Sequence, residues 1–392
     1  MTELLAPAGD LEKLNIAYLY GADACYIGGK KFSLRSRASN FTEDDLIEAV
    51  KIAKSYQKKL YITVNIIPHN EDLAGLEAYL SFLEKIGVDG IISASLHIIK
   101  LALDLTKLEV HVSTQLSVLN SEAIDFLTSL GVQRVVLGRE LSYKELAEIK
   151  QKSALELEVF IHGGMCAGYS GRCVLSNNMT DRDANRGGCA HSCRWNFDLF
   201  HKGEKLNDEA NYFSMAAKDL QAIRYIPRLL DIGINSLKIE GRMKSLYYIA
   251  LVVKTYRTLI DSYQRDKKIN FAYYLKEIKK AENRMTASGY LEGAAKENKT
   301  IYKKRAETPR KDFVGLVLAY DQVTKIVTVE QRNYFMAGQK LEFFGPSYSK
   351  KVTVKEIRDE AGTILDACRH PLQKVYFKLN FTVSKYDLIR LA

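Results

Sequence analysis

The chain lacks the features that would mark it as a membrane or exported protein. No stretch of about 18 consecutive apolar residues is present, which is the length that a membrane-spanning helix needs. The first residues, MTELLAPAGD, do not combine the basic and apolar regions of a signal peptide. We therefore expect a cytoplasmic protein that makes no membrane contact.

Motifs of several enzyme classes are also missing. The sequence contains no HExxH zinc-protease motif, no G-x-S-x-G nucleophile elbow and no Walker A loop. No glycine-rich dinucleotide fingerprint follows the first predicted strand, which weakens the case for a doubly wound nucleotide-binding sheet. The common hydrolase, P-loop and dinucleotide-binding classes are thus disfavoured.

Cysteine is scarce but concentrated in one segment. Four of the six cysteines fall within 28 residues, at Cys166, Cys173, Cys189 and Cys193. In a reducing compartment a group of this kind is expected to bind metal rather than to form disulfides. The two distant cysteines, at positions 25 and 368, are predicted bystanders.

The spacing of the four cysteines is C-x6-C-x15-C-x3-C. Structural zinc sites usually pair cysteines two to four residues apart, and only Cys189 and Cys193 satisfy that rule. The longer gaps suit a loop that surrounds a larger group, such as an iron–sulfur cluster. Zinc remains the alternative.

Short apolar runs alternate with helical patterns over the first 240 residues, which predicts a parallel sheet. Eight strands fit a (β/α)8 TIM-like barrel, with a doubly wound sheet as the alternative. The predicted strands are Leu4–Leu5, Ala24–Ile27, Leu60–Ile66, Gly90–Ile92, Glu109–Ser113, Arg134–Leu137, Glu156–Ile161 and Ser236–Ile239.

The chain divides into a barrel and two further segments. We predict a catalytic barrel over 1–255 with a cysteine-rich insertion at about 162–235, then a helical extension and basic linker over 256–312. The strand-like runs of 313–392 predict a small C-terminal all-β barrel. Cys166 would then lie at the C-terminal rim of the catalytic barrel, where enzymes of this fold place their chemistry.

Positive charge is distributed unevenly. The formal net charge is +10, and residues 296–311 contain seven basic and two acidic residues, a net of +5. Such a segment suits a polyanionic partner such as RNA, because Lys and Arg displace counterions from phosphates. A solvated linker is the simpler alternative.

Polar residues near the predicted strand ends are candidates for the active site. In SLKIEGR, Lys238 and Glu240 alternate with apolar residues and would face the lumen near its mouth, with Arg242 beyond them. We expect this group to bind an anion, and an interior ion pair is the alternative. Arg35, in the loop after the second strand, could also bind an anion, and His162 could carry a proton or form a structural hydrogen bond. Further polar candidates are Arg37, Asn40, Thr63, Asn65, His111, Ser113 and Gln115.

Several motifs resemble the U32 peptidase family, also called collagenase-like peptidases. The signature stands here as Glu158-Val-Phe160, then Cys166, then SGRCVLS at 170–176, with Gly164 in place of the usual Ser or Ala. ELLAPAGDLEKL, GADACYIGG, NRGGCAHSCRW and KIEGRMKS also match, so the resemblance covers most of residues 1–255, and the β-rich tail is similar to the family's C-terminal domain.

The resemblance implies an oxygen-independent hydroxylase with a [4Fe–4S] cluster on Cys166, Cys173, Cys189 and Cys193. Length, basic linker and tail look most like the tRNA branch, which implies 5-hydroxyuridine at the wobble position and prephenate as a carboxylate-rich oxygen donor. The resemblance implies tRNA as partner and leaves room for a homologous partner subunit. The alternative function is the peptidase activity of the family name.

Overall fold

The computed structural model describes residues 2–34, 40–208, 213–281, 284–294 and 312–392. The chain forms two compact units, Met1–Glu307 and Thr308–Ala392. Arg35, Arg37 and the whole basic segment 296–311 lie outside the described residues, so their predicted roles stay predictions.

Eight parallel strands close into the predicted barrel. The first strand pairs with the second and with the eighth, and the eighth also pairs with the seventh, which completes the ring. The strands are β1 (Glu3–Pro7), β2 (Ala24–Gly28), β3 (Lys59–Thr63), β4 (Gly90–Ser93), β5 (Glu109–Val112), β6 (Arg134–Val136), β7 (Glu156–Gly163) and, after three short strands, β11 (Ser236–Ile239).

Helices follow the first six strands and surround the barrel. Most begin at a polar side chain that accepts a backbone N–H, as Asp10, Thr42, Ser95, Asn120 and Ser142 do. The helices are α1 (Leu11–Leu19), α2 (Glu43–Ser55), α3 (Leu76–Ile86), α4 (Leu96–Leu105), α5 (Ser121–Leu130) and α6 (Tyr143–Lys152). Across the described ranges, no helix is both long and apolar enough to cross a membrane.

The segment between β7 and β11 is irregular. It contains α7 (Leu175–Thr180), the hairpin of β8 (Phe200–His201) and β9 (Glu204–Lys205), then β10 (Asp219–Gln221) and α8 (Ile226–Asp231). Strand β10 pairs antiparallel with the end of β7, so the insertion is joined to the barrel through backbone hydrogen bonds. After β11 come α9 (Leu246–Asp266), α10 (Phe271–Lys279) and β12 (Thr286–Ala287), which pairs with β10.

Charged side chains cross the lumen of the barrel. Arg134 on β6 lies 2.5 Å from a carboxylate oxygen of Glu3 on β1, and its guanidinium lies 5.6 Å from the ring centre of Tyr61 on β3. These strands are not neighbours in the sheet, so the side chains can meet only through the interior. Arg134 also contacts Glu156 and Glu158.

A second cation completes this interior network. Lys238 Nζ lies 2.6 Å from Glu158 Oε1 and 4.5 Å from the ring centre of Tyr26, with both members of the ion pair buried. Burial opposes ionisation of Glu158, but Lys238 and Arg134 outweigh it and lower its pKa below the usual value. The lumen is therefore held by paired charges rather than by apolar packing alone.

The C-terminal unit is all-β, as predicted. Its main sheet is antiparallel, with the strand order β17-β16-β22-β13-β14-β21-β18-β19, and it encloses a core that includes Val329, Phe343 and Val375. The strands are β13 (Phe313–Tyr320), β14 (Ile326–Gln331), β15 (Phe335–Met336), β16 (Lys340–Phe344), β17 (Ser349–Thr353), β18 (Ile357–Arg358), β19 (Ile364–Leu365), β20 (Ala367–Cys368), β21 (Lys374–Lys378) and β22 (Leu388–Leu391).

Replacement of Arg134 by Met is expected to destabilise the barrel strongly. The change leaves buried carboxylates without their shared cation, and loss of one partner of a buried ion pair costs about 3–5 kcal/mol. Chemical denaturation measures the free energy of unfolding. Arg265→Met, which removes an exposed pair with Asp266, is the matched control and should change stability by less than about 0.5 kcal/mol. Equal effects of the two changes would contradict a stabilising lumen network.

The network also predicts how stability depends on pH. Since the folded-state pKa of Glu158 lies below that of an unfolded Glu, about 4.3, its ionised form stabilises the fold above that pH. This contribution is lost as the pH falls. Glu158→Gln should therefore flatten the decline of unfolding free energy between about pH 5 and 3. Glu148→Gln, on the exposed side of α6, should leave the dependence of unfolding free energy on pH as it is in the wild type. An unchanged dependence in Glu158→Gln would refute the stabilising contribution of the ionised Glu158.

Candidate functional site

The loop that follows β7 carries Cys166 and Cys173 and is fastened to two neighbouring strand ends. The backbone N and Oγ of Ser170 donate to Glu140 Oε1 at 2.8 and 3.0 Å, and Ser117 Oγ donates to the Ser170 carbonyl. Glu140 follows β6 and Ser117 follows β5. The first two cysteines are thus held at the C-terminal mouth of the barrel, where the sequence predicted Cys166.

Gly171, between these two cysteines, is required by the close packing of this loop. Its φ is +70°, and a Cβ built on it would lie 1.9 Å from the carbonyl oxygen of Gln115. Other residues rarely adopt this conformation, and backbone atoms cannot yield as a flexible side chain can. The glycine of the S-G-x-C motif therefore allows the loop to lie directly on the chain after β5.

Two serines lie beside the second pair of cysteines. Ser176 on α7 accepts a hydrogen bond from the backbone N of Ala190 at 2.9 Å, and its Oγ lies 3.9 Å from Cys189 Sγ. The hydroxyl of Ser192 is buried and has no hydrogen-bond partner among the residues that the structure describes. An isolated buried hydroxyl is costly, so an acceptor outside the protein would satisfy Ser192.

The four thiols form one electrostatic group. Burial raises the pKa of the Cys166 and Cys193 thiols, and charge on the other cysteines raises each further, whereas Arg139 acts to lower the first and Arg194 the second. Within the described ranges, no three His, Cys, Asp or Glu side chains converge on a single metal ion.

Charged side chains surround Gly164 at the base of the cysteine loop. Arg139 donates to the Gly164 carbonyl, and its guanidinium lies 3.8 Å from the ring centre of Phe160. The Gly164 N donates to Glu240 Oε2 at 3.2 Å, so Glu240 lies beside the loop as predicted. A Cβ on Gly164 would stand 3.4 Å from Arg194 Nη2 and from Glu240 Oε2, an ordinary contact.

Arg242 lies at another part of the mouth. Its guanidinium donates to Ser33 Oγ and Thr63 Oγ1, both at 3.1 Å, and to Asn40 Oδ1 at 2.6 Å. Gly28 makes room for it, since a Cβ there would lie within 2.5 Å of both terminal nitrogens. The predicted candidates from the second, third and eighth strands are thus brought together.

Other polar candidates occupy the same end of the barrel. Asn65 Nδ2 donates to Gln115 Oε1 at 2.6 Å, and Ser113 Oγ donates to the same oxygen at 2.8 Å. His111 instead packs against Tyr61 in the lumen, with ring centres 4.5 Å apart. Asn65, Ser113 and Gln115 therefore brace one another.

Lys238 and His162 both contact buried partners. Lys238 lies within the lumen in an ion pair with Glu158, which is the alternative to anion binding that the sequence left open. His162 is buried against α9, 3.2 Å from the Tyr256 hydroxyl. Burial lowers its pKa to about 3, so the imidazole is neutral at physiological pH.

A β-bulge explains the position of His162. In the pairing of β7 with β11, Lys238 lies opposite Phe160 and Ile239 lies opposite His162, so Ile161 is the extra residue. An extra residue reverses the alternation of side chains beyond it. The sequence shows an uninterrupted strand at this point, and nothing in it marks the bulge.

Sequence reasoning missed two charged residues of the site, Asp219 and Arg139. Asp219 on β10 lies 2.6 Å from Arg284 Nη1 and 3.9 Å from Lys244 Nζ, and burial raises its pKa. Arg139 stands three residues past the last residue of β6. The rule that barrel enzymes place functional groups after their strands would have found Arg139, whereas Asp219 comes from an irregular insertion.

The fold and site define a TIM-like barrel with a cysteine-bearing loop at its catalytic end. Residues 9–301 match Peptidase family U32, and residues 309–390 match the Peptidase family U32 C-terminal domain. The chain therefore belongs to the U32 peptidase family.

Similar proteins include three that are named for RNA hydroxylation or hydroxycytidine synthesis, and two of them align over most of the chain. The tRNA hydroxylation protein P1 of Bacillus subtilis is 48% identical over 99% of this chain and 94% of its own length. The tRNA hydroxylation protein P of Escherichia coli is 31% identical over 92% and 90%. The 23S rRNA 5-hydroxycytidine C2501 synthase of Escherichia coli is 37% identical over 66% of this chain and 39% of that protein.

The two glycines of the cysteine loop should respond differently to the same change. Gly171→Ala is expected to displace the loop, because its methyl group meets the Gln115 carbonyl at 1.9 Å, whereas Gly164→Ala meets only ordinary contacts. Limited proteolysis and thermal unfolding should show earlier cleavage and a lower Tm for Gly171→Ala alone. Matching results for both variants would contradict the described packing of the loop.

Proposed function

We propose that this chain is an iron–sulfur-dependent, oxygen-independent tRNA hydroxylase that forms 5-hydroxyuridine at the wobble position. Two relatives that align over nearly its whole length are named for tRNA hydroxylation, and a third is named for hydroxylation of a cytidine in ribosomal RNA. The alternative prediction of a U32-type peptidase stays a prediction.

The observation that carries this proposal is the cysteine group at the mouth of the barrel. Cys166, Cys173, Cys189 and Cys193 would hold a [4Fe–4S] cluster, and the buried Ser192 hydroxyl would donate to one of its sulfurs. Such a cluster supplies electron transfer or substrate activation when bound. The guanidinium groups of Arg139 and Arg194 near the thiols favour an anionic group there.

The surrounding residues would bind and orient a carboxylate-rich oxygen donor, for which we propose prephenate. Arg242, with Ser33, Asn40 and Thr63 around it, and Arg139 would attract its carboxylates from different strand ends. The carboxylate of Glu240 beside Gly164 would hold or release a proton. Lys238 supports the barrel from within through its ion pair with Glu158, and His162 supports it through Tyr256.

The test of the cluster begins with protein purified without oxygen. We expect iron and sulfide in equal amounts, about four of each per chain as in a four-cysteine [4Fe–4S] site. Cys173→Ser should lose both, whereas Cys25→Ala, which alters a buried cysteine within the barrel core, should retain them. About one zinc per chain with no iron or sulfide would overturn the proposed cofactor.

The test of the reaction compares tRNA nucleosides by mass spectrometry. A strain without this gene should lack 5-hydroxyuridine, the wild-type gene should restore it, and Cys173→Ser should not. A block in prephenate synthesis should have the same effect as loss of the gene. Modification at the wild-type level in cells that carry only Cys173→Ser would refute the proposed role of the cysteine group.

A further inference from the structure

Exposed apolar side chains concentrate beside the cysteine group. Seven of the 21 large hydrophobic residues that are exposed in the described parts of the chain fall between positions 169 and 206, a tenth of its length. They are Tyr169, Val174, Met179, Trp195, Leu199, Phe200 and Leu206. Exposed apolar residues that gather in one segment make that segment a candidate for an interaction surface.

Trp195 is the most informative member of this group. It is the only tryptophan of the chain, it is 40% exposed, and it follows Cys193 and Arg194 directly. Its backbone N donates to the Ser192 carbonyl at 3.1 Å, and its ring centre lies 6.4 Å from that of Phe197. Two fifths of its surface is therefore available to a ligand.

Exposed basic side chains lie on the same segment as the exposed aromatic ones. Tyr169, on the loop between Cys166 and Cys173, is 52% exposed. Arg172 on that loop and Lys202 in the β8–β9 hairpin are exposed, and neither forms an ion pair with any residue that the structure describes. Uncompensated cations next to exposed aromatic rings suit a partner that alternates negative charge with flat apolar groups.

We propose that this surface binds a single-stranded segment of RNA, with one base stacked on Trp195, a second on Tyr169, and phosphates near Arg172 and Lys202. Single-stranded RNA is recognised in this way, because unstacked bases pack on aromatic rings while cations follow the backbone. The inference rests on the proposed function and adds the residues that present the target nucleotide to the barrel mouth. A duplex offers no free base faces and is the disfavoured ligand.

The single tryptophan allows the stacking to be observed directly. Selective excitation of Trp195 during titration with an anticodon stem-loop should give saturable quenching, and a duplex of equal length should give little. Trp195→Ala should weaken binding at least about fivefold, since stacking of one base contributes ~1–3 kcal/mol, and Trp195→Phe should retain most of the affinity. Phe126→Ala, which removes an exposed aromatic side chain on α5, is the matched control and should bind as wild type.

Several outcomes would overturn the inference. Filter binding that shows tRNA bound with unchanged Trp195 emission and unchanged affinity in Trp195→Ala would place the RNA elsewhere. A change of oligomeric state in Trp195→Ala with normal RNA affinity would assign the surface to a protein partner. Thermal unfolding verifies that the variants are folded, and Trp195→Phe tests stacking even if the Ala variant is unstable.

Different results would refute the RNA-binding surface and the hydroxylase activity. Quenching by the stem-loop in a protein whose gene does not affect 5-hydroxyuridine would support the RNA surface and refute the hydroxylase. Cysteine-dependent modification without any response of Trp195 would support the hydroxylase and refute this surface.

Discussion

The barrel depends on the mutual neutralisation of charges in its lumen. Arg134 and Lys238 enter the interior from different strands, and each is stabilised by carboxylates that other strands contribute. A charge in this position is very costly unless it is paired. Strands that are far apart in the sheet must therefore keep their relative positions. This constraint stabilises the strand ends that form the mouth of the barrel.

The same ion pairs distinguish the residues that support the barrel from those that lie at the candidate site. The shared carboxylate is Glu158, which is the first residue of the family signature in this chain, and it is fully committed to Lys238 and Arg134. Two residues later Phe160 lies under Arg139, and the bulge at Ile161 then turns the chain toward Gly164 and Cys166. The signature thus combines an interior ion pair, a support for a cation and the start of the cysteine loop within nine residues.

The fold was largely predictable because it depends on local patterns. Short apolar runs and helical spacing determined all eight barrel strands to within a few residues, and the position of Cys166 after the seventh strand located it at the strand ends. The sequence left an ion pair open for Lys238 but could not name its partner, since Glu158 lies 80 residues away along the chain. The role of His162 also stayed open, because the bulge that precedes it has no signature in the pattern of apolar residues. Asp219 was missed because irregular insertions carry no periodicity.

The distribution of charge and aromatic side chains gives the mouth two distinct sides. Around Gly164 and Arg242, guanidinium groups are enclosed by hydroxyl, amide and carboxylate oxygens, an environment suited to a small anion. Along the insertion, Trp195 and Tyr169 project outward near cations, an environment suited to bases and phosphates. The cysteine loop begins beside Gly164, carries Tyr169 and is fastened to the ends of both β5 and β6. The proposed reaction between a small acid and a nucleotide would require this kind of division, because each ligand must reach the same reactive group without occupying the other's place.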